Sequence, residues 1–435
     1  MTDLSIEAKP LAGEVHIPPS KSLAHRAIIA AGLAQGQSQV RNVQLSDDIR
    51  ATIEAMRSLG ADITITEADD HRVNLEIRGG KPAEAGASRV IDANESGSTL
   101  RFMIPIASLF PGRTQFIGRG KLGSRPLDPY EAIYRDQDLF YENLSESALD
   151  LRVEGRLKPG SYQLAGNISS QFITGLLYTL PLLEGDSTLQ ITGPLESIGY
   201  IHLTLDILAR YGIAIDYRED EQCFRIKGKQ AYQAADYQVE GDYSQAAFFL
   251  CAGALGNEVT VTGLAQSSQQ GDQEIIAFLE KLGAKLKLQE EGVQIQAQNL
   301  EGGCDLDGSQ CPDVIPVLAL TACLAKGETR IKNLARLRIK ESDRLAASQE
   351  ELSKLGAQIE ILDDSLIIQG VDQLKGGCRV SSHKDHRMAM MLAIASTVCQ
   401  EAIIIEDAES VSKSYPHFWE DFANLGGDYR EWNMG

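Results

Sequence analysis

Leu355-Gly356-Ala357-Gln358-Ile359-Glu360-Ile361 reads as the last residue of a helix, a stop, and a strand. A glycine just past a helix ends it by taking the left-handed backbone conformation. Gln-Ile-Glu-Ile then alternates polar and apolar as a half-buried strand does. The same phrase stands at Leu282-Gly283-Ala284-Lys285-Leu286-Lys287-Leu288, at Leu59-Gly60-Ala61-Asp62-Ile63-Thr64-Ile65 and at Tyr211-Gly212-Ile213-Ala214-Ile215, and a shortened form closes the chain at Leu425-Gly426-Gly427. From Gly212 through Gly283 and Gly356 to Gly427 the spacings are 71, 73 and 71 residues, and Gly60 lies 152 residues before Gly212. The long interval spans about two periods. Within it the stretch from Arg135 to Leu144 lacks the Leu-Gly-Ala pattern, so one unit has drifted.

A second series runs in step. Short polar turns precede apolar helical segments at Ser20, Gly97, Ser169, Tyr243, Asp313 and Asp385, at spacings of 77, 72, 74, 70 and 72 residues. Six such units account for the 435 residues. Each predicts strand, polar turn, helix, strand, often a second helix, and a closing strand. Periodicity of this size indicates a repeat architecture, and these repeats are too long and strand-rich for a helical solenoid. The expected fold is α/β, with two lobes of three units each. A helix N-terminus carries unpaired N–H groups and partial positive charge. Equivalent helices aimed at one cleft would therefore make an anion site.

Composition narrows the function classes. The chain is 43% hydrophobic and 23% charged, the balance of a globular protein. Its 41 Lys and Arg against 61 Asp and Glu give a net charge of −20. That argues against non-specific nucleic-acid binding and against an anionic membrane surface, while leaving room for a local cationic pocket. The seven cysteines are odd in number, absent from the first 222 residues and form no C-x-x-C pair. Neither a disulfide scaffold nor a zinc site is expected, and a reducing cytoplasm fits. Residues 1–20 lack the apolar core of a signal peptide. The longest apolar stretch, 314–325, is too short to span a bilayer.

The polar turns carry the chemistry. Pro18-Pro19-Ser20-Lys21-Ser22 breaks a strand and starts a helix in which Ser22 and Arg26 share a face, a set suited to phosphate. Glu95-Ser96-Gly97-Ser98-Thr99 places a close-approach glycine four residues before Arg101, and the Gly-rich stretch 118–125 presents Lys121 and Arg125. Asn167-Ile168-Ser169-Ser170-Gln171 offers more polar side chains than capping needs. Glu196-Ser197-Ile198-Gly199-Tyr200 is again Ser-led, Gly241-Asp242 opens the fourth unit, and Gln270-Gly271-Asp272 is expected to end a strand. Lys340-Glu341-Ser342-Asp343-Arg344 packs two cations and two carboxylates into the start of an apolar helical pattern. Read as helix, Lys340 and Arg344 share a face and need an anion between them, either Glu341 or a ligand.

Taken together, Pro19-Ser20-Lys21-Ser22…Arg26, Ser96-Gly97-Ser98…Arg101, Arg125-Pro126, Ser169-Ser170-Gln171, Gly241-Asp242, Asp313, Lys340 to Arg344, Asp385-His386-Arg387-Met388 and Lys413 resemble the 5-enolpyruvylshikimate-3-phosphate synthase family over nearly the whole chain. The resemblance implies a two-lobed inverse α/β barrel, each lobe of three βαβαββ units. One lobe would hold residues 1–20 and 236–435, the other 21–235, with the active site in the cleft between them. It implies transfer of the carboxyvinyl group of phosphoenolpyruvate to the 5-hydroxyl of shikimate 3-phosphate, in aromatic amino-acid biosynthesis, by addition and elimination. Lys21, Ser22, Arg26, Ser169, Ser170, Gln171, Ser197, Tyr200, Asp313 and Lys340 would hold shikimate 3-phosphate. Lys21, Gly97, Arg125, Gln171, Arg344, Arg387 and Lys413 would hold phosphoenolpyruvate. Asp313 is the implied base, Glu341 the acid, and Lys21 the stabiliser of developing charge. No metal or organic cofactor is called for, and a cytoplasmic monomer is expected. Arg336 stands where many relatives have Asn and is left out of the set.

Two alternatives compete. A UDP-N-acetylglucosamine enolpyruvyl transferase would share the fold, but it carries Lys-Asn at Lys21-Ser22 and a reactive Cys in the loop that here runs 118–125 without one. A non-catalytic or RNA-end-processing relative would have to be reconciled with the acidic net charge.

Overall fold

The computed structural model describes residues 2–68, 71–80, 88–145, 148–265, 267–288, 292–296 and 299–432. The chain divides into two compact units, Met1–Pro18 with Glu240–Gly435, and Pro19–Val239. Where the sequence places the breaks at 20/21 and 235/236, they fall at 18/19 and 239/240. The second break lies later because Tyr237–Gln238 pairs in parallel with Gln37–Gln44, tying that strand to the 19–239 unit.

Twelve α-helices stand among the described residues. In the 19–239 unit they are α1 (Lys21–Leu33), α2 (Asp47–Ser58), α3 (Gly97–Ala107), α4 (Asp128–Asp136), α5 (Ser170–Thr179) and α6 (Ile198–Arg210). In the other unit they are α7 (Tyr243–Ala254), α8 (Glu274–Lys281), α9 (Ile315–Cys323), α10 (Arg344–Lys354), α11 (His386–Ser396) and α12 (Phe418–Asn424).

Odd- and even-numbered helices differ in kind. Helices α7, α9 and α11 are buried along their whole length, and α3 and α5 are buried except at Ser98 and Gln171. A helix apolar all round must be enclosed by protein. Even-numbered helices such as α2 and α10 alternate buried and exposed residues and cover one side only.

Among the described residues the strands form six four-stranded sheets, three in each unit. Each sheet holds one parallel pair followed by two antiparallel pairs. Arg89–Asp92, for example, runs parallel to Thr114–Gly118, which is antiparallel to Leu149–Glu154, itself antiparallel to Phe140–Asn143. A parallel pair needs a long crossover, and α3, α5, α9 and α11 each supply one within a sheet, whereas α1 and α7 run between strands of different sheets. The N-terminal strand Leu4–Ile6 sits inside the sheet of the sixth unit, between Ile403–Glu406 and Tyr429–Glu431. This is the inverse α/β barrel plan: apolar helices inside, sheets outside.

The helix-stop glycines behave as the repeat requires. Gly60, Gly212, Gly283, Gly356 and Gly426 have φ between 80° and 97°. In the drifted unit Asp138, at φ 55°, takes that place. Aspartate is among the few L-residues that enter this region without severe strain, so the turn survives the loss of its glycine. Two local expectations fail. Gly271–Gln273 is a 3-10 turn leading into α8, not a strand end. And α10 begins at Arg344, because the Asp343 carboxylate accepts the Ala346 N–H at 3.0 Å and caps the helix there. Lys340 precedes the helix and shares no helical face with Arg344. No described helix is long and apolar enough to cross a membrane.

Candidate active site

The polar turns lie at the N-termini of the buried helices, and in each unit they come together. Arg344 is the centre in the 1–18/240–435 unit, with its side chain only 1% exposed. Its Nε and Nη2 donate to the two carboxylate oxygens of Asp385 at 2.8 and 3.1 Å. Nη1 donates to Asp313 Oδ1 at 2.8 Å, and Nη2 to Glu341 Oε2 at 2.7 Å. Lys340 Nζ reaches the same Asp313 oxygen at 3.0 Å, and Arg387 Nη2 stands 4.0 Å from Asp313 Oδ2. Arg387 is itself fixed by the carbonyl and hydroxyl of Ser244, both at 2.7 Å, and Asp242 caps α7 beside it. Lys413, in the 3-10 segment Ala408–Lys413, donates to the Lys384 carbonyl at 2.8 Å.

Charge follows from this geometry. Burial alone would raise the Asp313 carboxyl, but Lys340, Arg387 and Arg344 hold it well below the usual carboxylate range. Burial pulls the Lys340 ammonium below its ordinary value, with Asp313 opposing. For Arg344 the burial penalty is overcome by Asp385, Glu341 and Asp313, and its guanidinium is bound more firmly to its proton than usual. The network thus holds an ionised carboxylate beside a second carboxyl group, with three cations around them.

The 19–239 unit gathers the other expected residues. Lys21 Nζ pairs with Asp48 Oδ2 at 2.8 Å. Arg26 is buried, and donates to the carbonyls of Ser22 (2.7 Å) and Tyr200 (3.0 Å) and to Thr204 Oγ1 (2.9 Å). Its guanidinium also lies 5.4 Å from the Phe102 ring centre and 5.8 Å from that of Tyr200. Burial lowers its pKa, tempered by the nearby tyrosines. Ser169 caps α5 through the Gln171 N–H at 3.3 Å. Gln171 bridges Arg101 Nη1 (2.9 Å) and Ser98 Oγ (2.9 Å). A Cβ on Gly97 would run into the Arg125 guanidinium and fall 3.0 Å from Arg101 Nη1, so a side chain there would push the Arg125 guanidinium aside. Ser197 holds a left-handed backbone (φ 56°) at the start of α6, which turns that helix toward Arg26 through Tyr200.

Each expected site residue thus falls into one of two sets. Asp313, Lys340, Glu341, Arg344 and Arg387 share one network, with Lys413 beside it. Lys21, Ser22, Arg26, Gly97, Arg125, Ser169, Ser170, Gln171, Ser197 and Tyr200 lie in the 19–239 unit. Sequence reasoning missed Asp385, Asp48, Ser244 and Thr204. Asp385 stood in the sequence only as a polar turn of the repeat and as part of the family motif; it caps α11, accepting the Arg387 N–H at 2.9 Å. Asp48 sits in Ser46-Asp47-Asp48, which reads as an ordinary helix start.

Comparison with known proteins agrees in direction. Residues 6–422 match the family model described as EPSP synthase (3-phosphoshikimate 1-carboxyvinyltransferase). The chain is 55% identical over 430 residues to the 3-phosphoshikimate 1-carboxyvinyltransferase of Clostridium botulinum (strain Alaska E43 / Type E3), covering 98% of both chains. It is 51% identical to that of Clostridioides difficile (strain 630), covering 100% of both. Among solved structures, an EPSP synthase from Acinetobacter baumannii superposes with a TM-score of 0.79 at 24% identity over the full length of both chains. The enolpyruvyl transferase NikO from Streptomyces tendae does so at 0.77 and 17%, also over the full length of both. These two show the fold.

Proposed function

The chain belongs to the EPSP synthase family, and from that premise we propose how its residues carry the transfer of the carboxyvinyl group of phosphoenolpyruvate to the 5-hydroxyl of shikimate 3-phosphate, with release of phosphate. The observation that supports this reading most is the single network joining Asp313, Glu341, Lys340, Arg344 and Arg387.

In the first step the 5-hydroxyl oxygen bonds to C2 of phosphoenolpyruvate, its proton passes to Asp313, and the methylene carbon gains a proton from Glu341. In the second, a methyl proton returns to Glu341, the C2–O bond to phosphate breaks, the proton held by Asp313 passes to the departing phosphate, and the double bond reforms. In the ligand-free protein the cations depress Asp313 too far for a good base. Phosphoenolpyruvate brings a phosphate and a carboxylate to Arg344, Arg387, Lys413, Arg125, Gln171, Gly97 and Lys21. Negative charge there offsets the cations and raises the proton affinity of both carboxyl groups. Substrate binding thus tunes the acid and the base toward working pH, while Lys21 steadies charge developing in the intermediate.

Shikimate 3-phosphate is assigned to Lys21, Ser22, Arg26, Ser169, Ser170, Gln171, Ser197, Tyr200, Asp313 and Lys340. This requires both sets to act on one pair of substrates, and we read the enzyme as a cytoplasmic monomer. Compaction on adding shikimate 3-phosphate, followed by small-angle scattering, checks this requirement.

The primary test is phosphate release from phosphoenolpyruvate, with shikimate 3-phosphate or UDP-N-acetylglucosamine supplied in parallel. Release is expected only with shikimate 3-phosphate. In Asp313→Asn and Glu341→Gln it should fall by about 10²- to 10⁴-fold. Release only with the UDP-sugar would overturn the substrate assignment.

A further inference from the structure

Glu351, two turns beyond Arg344 on α10, is a carboxylate with no exposed side-chain surface. Its Oε1 meets the His383 ring Nε2 at 2.7 Å, and its Oε2 accepts the Ser381 N–H at 3.0 Å. Lys354 Nζ lies 2.9 Å from an oxygen of Glu350 and 2.9 Å from Glu351 Oε1, so the cation beside this acidic pair is an ammonium. The loop so gripped is unusual. His383 and Lys384 are consecutive non-glycine residues with φ of 53° and 56°. Such backbone persists only where its surroundings over-determine it. Here the His383 N–H bonds Ser381 Oγ at 3.0 Å and the Lys384 N–H bonds Ser382 Oγ at 3.1 Å, while the ring is anchored on Glu351.

What the loop delivers is the active-site network. The residue after Lys384 is Asp385, which holds Arg344 by two nitrogens and Ser342 by its hydroxyl at 2.9 Å. The Lys384 carbonyl holds Lys413. Arg387 follows two residues later.

We propose that His383 is a positioning residue for the phosphoenolpyruvate subsite: clamped on Glu351, it sets Asp385 and the Lys384 carbonyl, and through them Arg344 and Lys413, so that affinity for phosphoenolpyruvate follows the charge of this ring. The proposal rests on the assignment of Arg344 and Lys413 to that substrate.

The groups facing the ring are Glu351, Glu350 and Lys354 on α10, and Cys378 stands close to Glu351 and Lys354. The Glu351 hydrogen bond raises the ring's pKa above its ordinary value, against burial and Lys354. The clamp is therefore fully charged below about pH 6.5 and weakens as pH rises through the elevated pKa.

Steady-state kinetics from about pH 6 to about pH 9, with ring titration followed by NMR, decide the matter. In the wild type, KM for phosphoenolpyruvate is expected to rise about three- to tenfold in step with the His383 titration, while KM for shikimate 3-phosphate moves by less than about twofold. In His383→Gln the rise should vanish, with the high KM present at every pH. Lys354→Met keeps ring and carboxylate and removes the opposing cation, so it should move the inflection to higher pH. It also serves if His383→Gln fails to fold. An unchanged profile in His383→Gln, equal shifts in both KM values, or an inflection that stays or falls in Lys354→Met would overturn the proposal. A wild type inactive with both substrates would instead refute the reaction reading. The clamp itself would then stand or fall on whether Glu351→Gln lowers the ring's titration.

Discussion

Arg26 and Arg344 are both buried arginines next to a helix start, and they are used in opposite ways. Arg344 meets three carboxylates, from Asp385, Asp313 and Glu341. Arg26 meets two carbonyls and a hydroxyl, all neutral. Burial weakens the hold of Arg26 on its proton, whereas carboxylates strengthen that of Arg344. A guanidinium surrounded by carboxylates is already compensated and serves as a frame for them. One surrounded by neutral dipoles keeps its charge available, and on the proposed reading a substrate phosphate supplies the counter-charge. On the proposed reading the unit holding Arg344 keeps the acid and the base in place, and the unit holding Arg26 takes up the phosphate of shikimate 3-phosphate.

The largest effect should come from removing the frame. Arg344→Met leaves Asp385 buried without its cation and strips one from Asp313, which should destabilise that unit by about 3–5 kcal/mol. Urea unfolding measures this. Arg26→Met should cost much less stability, about 1 kcal/mol, since Thr204 Oγ1 keeps Thr174 (3.0 Å) and the Tyr200 carbonyl (2.9 Å) as partners. Its loss should appear in binding: about 2–3 kcal/mol of affinity for shikimate 3-phosphate, read by calorimetric titration. Equal stability losses in the two variants would break the comparison. A loss of shikimate 3-phosphate affinity in Arg26→Met alone would sharpen it.

How much of this was legible depended on the range of the interaction. The Leu-Gly-Ala series announced the six units because a helix stop and a strand are both local events. The drifted unit was located only by the doubled interval, and its stop stayed unread because Asp138 makes the same left-handed turn with a different residue. At Lys340 to Arg344 the density of charge suggested a helix, yet the local signal that mattered was the Asp343 cap. Family resemblance supplied Asp313, Glu341 and the cations, while composition and spacing placed them only at polar turns. The carboxylates that hold those cations were not legible. Asp385 and Arg344 are 41 residues apart, Asp48 and Lys21 are 27, and no periodicity links either pair. Glu351 lies on an amphipathic helix rich in Glu, Lys and Gln, where a carboxylate reads as exposed, and only the fold buries it against His383.

The smallest effect separates the two sets by pH. Asp313 has a folded pKa well below its ordinary value, despite burial, because Lys340, Arg387 and Arg344 favour its charge. A depressed carboxyl contributes stability that is fully present above its unfolded pKa of about 3.9, and that is lost as pH falls from there through the folded value. Asp313→Asn should therefore lower the stability of its unit near pH 5 and flatten the acid limb below about pH 4, both visible in thermal unfolding followed over pH. Arg26 meets no carboxylate among the described residues, so Arg26→Met should leave the slope of the acid limb unchanged. If Arg26→Met also flattens that limb, an acidic partner compensates its charge in solution, and the division between a compensated frame and an open anion site does not hold.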